Sequence, residues 1–249
     1  MTPIFISFVI ITLINMLAYA WAYRNQSDHL TDISYSFCFI ATSFYFLLGY
    51  GDITPPRIVL TMMVFLWGLR LGGFLFYRIC KMGKDSRFDD FRNSKSGFLK
   101  FWILQSVSIW IIALPVMTGL LVQKLTLTIP AVLLWLCGWL LESASDWQKF
   151  TFKSSNNNSD FINTGLYSSI RHPNYLGEIL VWLGIFWYVA PSLSGWMWWS
   201  IISPAWVIIL LVKVSGIPII EKSNQLKYKD NPSYKSYLQK TWRLIPCIY

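Results

Sequence analysis

IFISFVIITLINMLAYAWAY, residues Ile4–Tyr23, holds no charged side chain and only a few polar ones. About 20 residues of this kind, wound as a helix, cross about 30 Å of hydrocarbon. The same character returns along the chain at Ile33–Gly49, Ile58–Cys80, Phe101–Leu121, Leu125–Leu141, Leu176–Leu193 and Trp196–Val214. Hydrophobic residues make up 55% of the 249 and charged residues 13%, against about 25% charged in an ordinary soluble domain. The runs are too long and too continuously apolar for barrel strands. The expected fold is therefore all-α, a polytopic transmembrane helical bundle of about seven spans in one membrane domain. Ile4–Tyr23 lacks a basic leader region and a small-residue cleavage site, so it reads as a retained span.

The net charge of +9 raises the question of nucleic acid, and the placement of the charges answers it. All the lysines and arginines except Arg57, Arg70 and Lys124 fall in or beside segments 24–32, 81–100, 142–175 and the tail after residue 213. Cationic loops on alternate sides of the spans orient a protein with those loops in the cytoplasm. The N-terminus is then expected outside and the C-terminus inside. A nucleic-acid partner is not expected, because the cations divide among loops instead of forming one stripe. Cys38, Cys80, Cys137 and Cys247 are far apart and form no C-x-x-C pair, and His29 and His172 are the only histidines. No metal site or disulfide framework is indicated, and the cysteines read as buried apolar thiols.

Three constellations carry polar chemistry. Arg171-His172-Pro173-Asn174-Tyr175-Leu176-Gly177-Glu178 opens the sixth run. Pro173 suits a helix start, whose orphan N–H groups attract anions, and Arg171 presents a planar fork suited to phosphate. Asn174 and Glu178, four apart, share a helix face. An ionisable Glu178 just inside the membrane is a functional candidate, with an interfacial Arg/Glu pair as the bland alternative. Glu142, Asp146, Gln148, Lys149 and Lys153 end the fifth run. Their lysines either meet lipid headgroups or clamp a phosphate. Trp67-Gly68-Leu69-Arg70-Leu71-Gly72-Gly73, with Tyr77 and Arg78, lies in the third. Arg70 needs a partner there, Asp32 or Glu178, and the glycines suit close helix packing.

Two further segments are polar. Lys81–Lys100 mixes charges, with Arg87, Asp89, Asp90 and Arg92 close together, and Phe150–Ser168 is rich in turn residues. The tail after Gly216 sets Tyr228, Tyr234, Tyr237, Leu238 and Trp242 among lysines. It reads as an amphipathic segment that either hugs the cytoplasmic interface or covers a ligand. The sequence holds no G-x-G-x-x-G, P-loop or G-x-S-x-G, so any nucleotide would sit in a bundle-based site.

GLYSSIRHPNYLGE (165–178), GIPIIE (216–221) and YKSYLQKTWRLIPCIY (234–249) together resemble the steroid 5-alpha-reductase-like membrane family, nearest its uncharacterised bacterial subgroup. The C-terminal half is also similar to sterol double-bond reductases, and WGLRLGGFLFYR, SRFDDFR and ESASDWQKFTFK extend the likeness over most of the chain. Isoprenylcysteine and phospholipid methyltransferases carry a similar R-H-P-x-Y-x-G element. The resemblance implies seven spans in a bacterial inner membrane, with residues 1–122 on the substrate side and 123–249 binding NADPH from the cytoplasm. It places Lys149 and Lys153 at the phosphates and Arg171, His172, Asn174 and Tyr175 around the cofactor, with Glu178 at the nicotinamide. Glu221, Tyr234 and Tyr237 would close over it.

The implied reaction is reduction of a C=C bond in a lipidic or steroid-like enone that enters from the bilayer. Glu178 and Tyr77 are the catalytic candidates. The Gln-Glu pair that contacts the substrate carbonyl in steroid reductases is missing here, which puts steroid specificity in doubt. S-adenosylmethionine-dependent methyl transfer to a membrane-bound acceptor, or lipid binding without catalysis, are the alternatives.

Overall fold

A computed structural model describes residues 2–25, 27, 29–82, 95–155 and 160–246. The charged stretch Arg87–Arg92, the asparagine run Asn156–Asn158, and Cys247 lie outside the described residues. The described residues are overwhelmingly helical and contain no strand. Ten α-helices follow one another: α1 Thr2–Asn25, α2 His29–Gly49, α3 Pro55–Met82, α4 Lys95–Ile112, α5 Leu114–Leu121, α6 Ile129–Ser155, α7 Pro173–Val189, α8 Ile202–Ile209, α9 Ile217–Lys227 and α10 Pro232–Lys240. Among the described residues, six stretches are long and apolar enough to cross a membrane: Thr2–Asn25, His29–Gly49, Pro55–Lys81, Gly97–Leu121, Pro173–Ser192 and Gly195–Lys227. The remaining apolar run, Leu125–Leu141, lies mostly in α6, whose last turns carry Glu142, Asp146, Lys149 and Lys153.

The runs are less regular than their hydropathy. The fourth is divided into α4 and α5 at Ala113, because Pro115 in the first turn of α5 has no N–H to continue the ladder. In the fifth, the helix begins only at Ile129, with Pro130 in its first turn. The last run is a 3-10 turn over Gly195–Ile201, then α8, then a π-helical turn over Leu210–Val214.

The chain sorts into two compact units, Met1–Ile129 with Ile185–Ser203, and Pro130–Gly184 with Pro204–Tyr249. In unit 1, α2 packs on both α1 and α3, and α4 packs on α1. A Cβ placed on Gly72 would lie 2.9 Å from the Cβ of Ser36, and one on Gly68 3.0 Å from Ile40, so these glycines let α2 and α3 close up. Gly73 faces open space. Buried amides and hydroxyls tie the helices together. Gln105 Nε2 donates to Asn15 Oδ1 at 2.8 Å, to the Thr31 carbonyl at 3.3 Å and to Ser34 Oγ at 3.4 Å, and Asn15 Nδ2 reaches Cys38 Sγ at 3.6 Å. The buried Arg57 donates to the carbonyls of Tyr50 and Val122, which follow α2 and α5. A cation there complements two helix C-termini.

In unit 2 the buried residues of α6 are Ala131, Trp135, Gly138, Glu142 and Ser145, spaced alternately by four and three along one face. That face meets α7. A Cβ on Gly177 would lie 2.6 Å from the backbone nitrogen of Glu142, and one on Gly138 2.7 Å from the Gly177 carbonyl. The Ser143 and Ser145 hydroxyls donate to the carbonyls of Trp139 and Leu141, both at 2.6 Å, which satisfies them within the helix. Of the cysteines, Cys38 is buried as expected, while Cys80 and Cys137 are exposed on their helices.

Candidate functional site: a charged hub at the start of α7

The turn-rich stretch before α7 is fixed by a side chain of α6. Gly165 adopts a φ of +59°, a conformation open to a residue without Cβ, and Gln148 Oε1 accepts the Leu166 N–H at 3.0 Å. A 3-10 turn over Gly165–Ser168 then buries Tyr167, whose hydroxyl donates to the Ser145 carbonyl at 3.3 Å. Burial raises the pKa of Tyr167, so this donor keeps its proton.

From Ser169 the backbone pairs with the tail. Trp242 N–H donates to the Ser169 carbonyl at 3.0 Å, and Arg171 N–H donates to the Trp242 carbonyl at 2.9 Å, a short parallel bridge of Ile170 with Trp242. Arg171 and Arg243 are thereby brought to one place from distant parts of the sequence. Between them comes Glu221 of α9. Its Oε1 lies 3.1 Å from Arg171 Nη1 and 3.5 Å from His172 Nε2, and its Oε2 lies 2.8 Å from Arg243 Nη2. The group is largely enclosed, with the Glu221 side chain 14% exposed. Charge-assisted bonds of this length, to a planar guanidinium, are the strong ones.

His172 is buried, and its ring stacks on Tyr175 at 5.7 Å with 13° between planes. Burial lowers its pKa, and Lys149 and Arg171 push the same way, while the bond to Glu221 opposes them. The ring is therefore neutral near pH 7, and the one carboxylate of Glu221 is shared between two arginines. Lys149, half-buried on α6, adds to this field, and Lys153 stands exposed one turn further on.

The tail is held by aromatic packing. Phe161 contacts the rings of Tyr234 at 5.0 Å, Tyr237 at 5.2 Å and Tyr228 at 5.6 Å. Tyr237 donates to the Tyr167 carbonyl at 2.9 Å, and burial pushes its pKa up to about 12. Asn231 caps α10 by accepting from Ser233 N–H at 2.9 Å and Tyr234 N–H at 3.3 Å.

Of the residues singled out in the sequence, the structure gathers Arg171, His172, Tyr175, Glu221 and Lys149 into one hub. Tyr234 and Tyr237 sit in the adjoining aromatic cluster, and Asn174 and Glu178 are half-buried on successive turns of α7. Tyr77 belongs to unit 1, where it is 45% exposed on α3 with Lys81 Nζ 5.9 Å from its ring centre. In the same unit, Asp32 lies 3.8 Å from Arg78. Arg243 and Phe161 were not among the expected site residues. The only sequence signal for Arg243 was its place inside the TWRLIP part of the tail motif.

These features define a helical membrane protein with a cationic hub built from the ends of α6, α7 and α9 and the tail. The chain belongs to the family described as "Protein of unknown function (DUF1295)", whose model matches residues 18–241. It is also similar to the uncharacterized protein C594.04c of Schizosaccharomyces pombe, at 34% identity over 86 residues. That match covers 34% of this chain and 24% of the yeast protein. No solved structure is a significant match.

Proposed function

We propose that the protein is a membrane-embedded, NADPH-dependent reductase of a C=C bond in a lipidic or steroid-like enone. The observation that carries this reading is the hub at the start of α7, where Arg171 and Arg243 share the carboxylate of Glu221 and Lys149 acts on His172. The residues fit a ligand that bears phosphate. Two guanidinium groups meet there, and Arg171 Nε is a buried donor with no hydrogen-bond partner among the described residues. The resemblance of the 165–178, 216–221 and 234–249 motifs to steroid 5-alpha-reductase-like proteins supports the same ligand class.

In this reading Arg171, Lys149 and Lys153 hold the phosphates, while His172, Asn174 and Tyr175 line the remaining contacts. Glu178, one turn deeper on α7, holds the nicotinamide end, and Tyr234 and Tyr237 keep the tail over the site. Bound NADPH supplies the hydride. The protein orients the two reactants, excludes water and delivers the proton that the second carbon needs. Tyr77 is the candidate donor by residue chemistry. The cationic loops put this face in the cytoplasm, with the N-terminus outside and seven spans in a bacterial inner membrane.

The test is a titration of the purified full-length protein in detergent with NADPH and, separately, with S-adenosylmethionine. NADPH is expected to bind, and Arg171→Ala to weaken it about tenfold, as loss of one charge-assisted contact would. Binding of the methyl donor with no binding of NADPH would make the protein a methyltransferase. Binding of neither would leave a membrane protein without this chemistry.

A further inference from the structure

We propose that Glu221 is an internal counter-anion occupying the place of a ligand phosphate, and that Arg243 is a second phosphate-binding arginine beside Arg171. The inference rests on the anion-capture reading above and specifies how capture happens: the ligand exchanges with a carboxylate of the protein itself.

The geometry is that of two guanidinium groups sharing one acceptor. Glu221 divides its oxygens, Oε1 to Arg171 at 3.1 Å and Oε2 to Arg243 at 2.8 Å. Carboxylate and phosphate present the same kind of oxygen to the arginine fork. The one carboxylate is divided between the two arginines, so neither guanidinium holds both of its oxygens. A diphosphate brings at least two negative charges to the same two cations. It also brings an acceptor for Arg171 Nε, a buried donor that no described residue meets.

Glu221 cannot remain where it is once the arginines turn to the ligand, because an enclosed carboxylate stripped of its partners is strongly unfavourable. It must move with α9. The connection upstream of α9 is the π-helical turn Leu210–Val214 and Gly216, irregular backbone of the kind that absorbs rotation at functional sites. The tail, by contrast, is fixed to the start of α7 through the Ile170–Trp242 bridge, so Arg243 stays in place while Glu221 leaves.

The experiment is calorimetric titration of the full-length protein in detergent with inorganic pyrophosphate, run on the unsubstituted chain, Glu221→Gln and Arg243→Ala. Removing the competing charge should tighten pyrophosphate binding at least about threefold in Glu221→Gln. Arg243→Ala should weaken it about tenfold, the effect of one charge-assisted contact. Unchanged or weaker binding in Glu221→Gln, or no binding in either protein, overturns the exchange, and unchanged binding in Arg243→Ala overturns the role of that arginine. Hydrogen exchange on the unsubstituted protein needs no variant to fold: amides of Ile217–Lys227 should exchange faster with pyrophosphate bound, and slower exchange there overturns the proposal.

NADPH titrated in parallel separates the two claims. Tightened pyrophosphate binding without NADPH binding sinks the reductase reading alone. NADPH binding that Glu221→Gln weakens sinks the exchange alone.

Discussion

In unit 1 the buried polar groups are amides and hydroxyls that answer one another, with Gln105 bonded to Asn15, Thr31 and Ser34 across three helices. Its buried cation, Arg57, is met by backbone carbonyls. In unit 2 the hub that joins α7, α9 and the tail is held by formal charge: Arg171 and Arg243 close on Glu221. Neutral networks hold helices at a definite register and ask for nothing further. A charged cluster in which two guanidinium groups share one carboxylate holds the fold and offers an anion cationic partners. The contrast separates glue from a candidate site without appeal to any motif.

The largest expected effect comes from the framework that positions the hub. Gly177→Leu would drive a side chain into the backbone of Glu142, where even a Cβ falls at 2.6 Å. It should cost ~3 kcal/mol or more, seen as loss of folded protein on size exclusion in detergent. Gly73→Leu in unit 1, where nothing lies within 4 Å, should leave the melting temperature unchanged.

Next is Glu221→Ala, which leaves two enclosed arginines facing each other and should lower stability by ~2–3 kcal/mol in a denaturation assay. If high salt or added phosphate restores the loss, the hub is an anion site as argued; if neither does, its role is structural like that of the unit 1 network. Gln105→Leu tests the other side of the comparison. Hydrogen bonds between membrane helices contribute ~0.6 kcal/mol on average and up to ~1.7, so a loss of about 1 kcal/mol is expected, with no response to anions. A larger loss would mean the neutral network matters more than the charged one.

The smallest effect is a pH dependence. The folded state lowers the pKa of His172 below the ordinary 6.5 because burial penalises the charged ring. The unfolded chain then takes up the proton first, so this contribution is complete above pH 6.5 and is lost as the pH falls through the lower folded value. The slope cannot exceed about 1.4 kcal/mol per pH unit. Melting temperatures at about pH 7.5 and about pH 5.5 should differ less in His172→Asn than in the unsubstituted protein.

The apolar runs made the helical class plain from the sequence, since span length is set by hydrocarbon thickness and needs no tertiary information. The breaks at Ala113 and at Leu210–Val214 were harder to foresee. Hydropathy averages across them, although Pro115 marks the first. In the hub, the R-H-P-N-Y-x-G-E element pointed to Arg171 and His172, and both lie beside Glu221. Arg243 looked like one basic residue among the many of a cationic tail. What sets it apart is the pairing of Trp242 with Ser169 and Arg171, a contact between segments far apart in the chain that leaves no local pattern. The same holds for Phe161, a lone aromatic in a polar loop until the three tyrosines of the tail pack around it.

The bridge between Trp242 and Ile170 has a consequence for biosynthesis. Arg171 leaves the ribosome 50 residues ahead of Glu221. At ~5–20 residues per second it waits seconds for that partner, and longer for Arg243. During that interval Arg171 lacks the carboxylate that it meets in the folded chain. The final turns of the polypeptide then seal a contact that translation had left open.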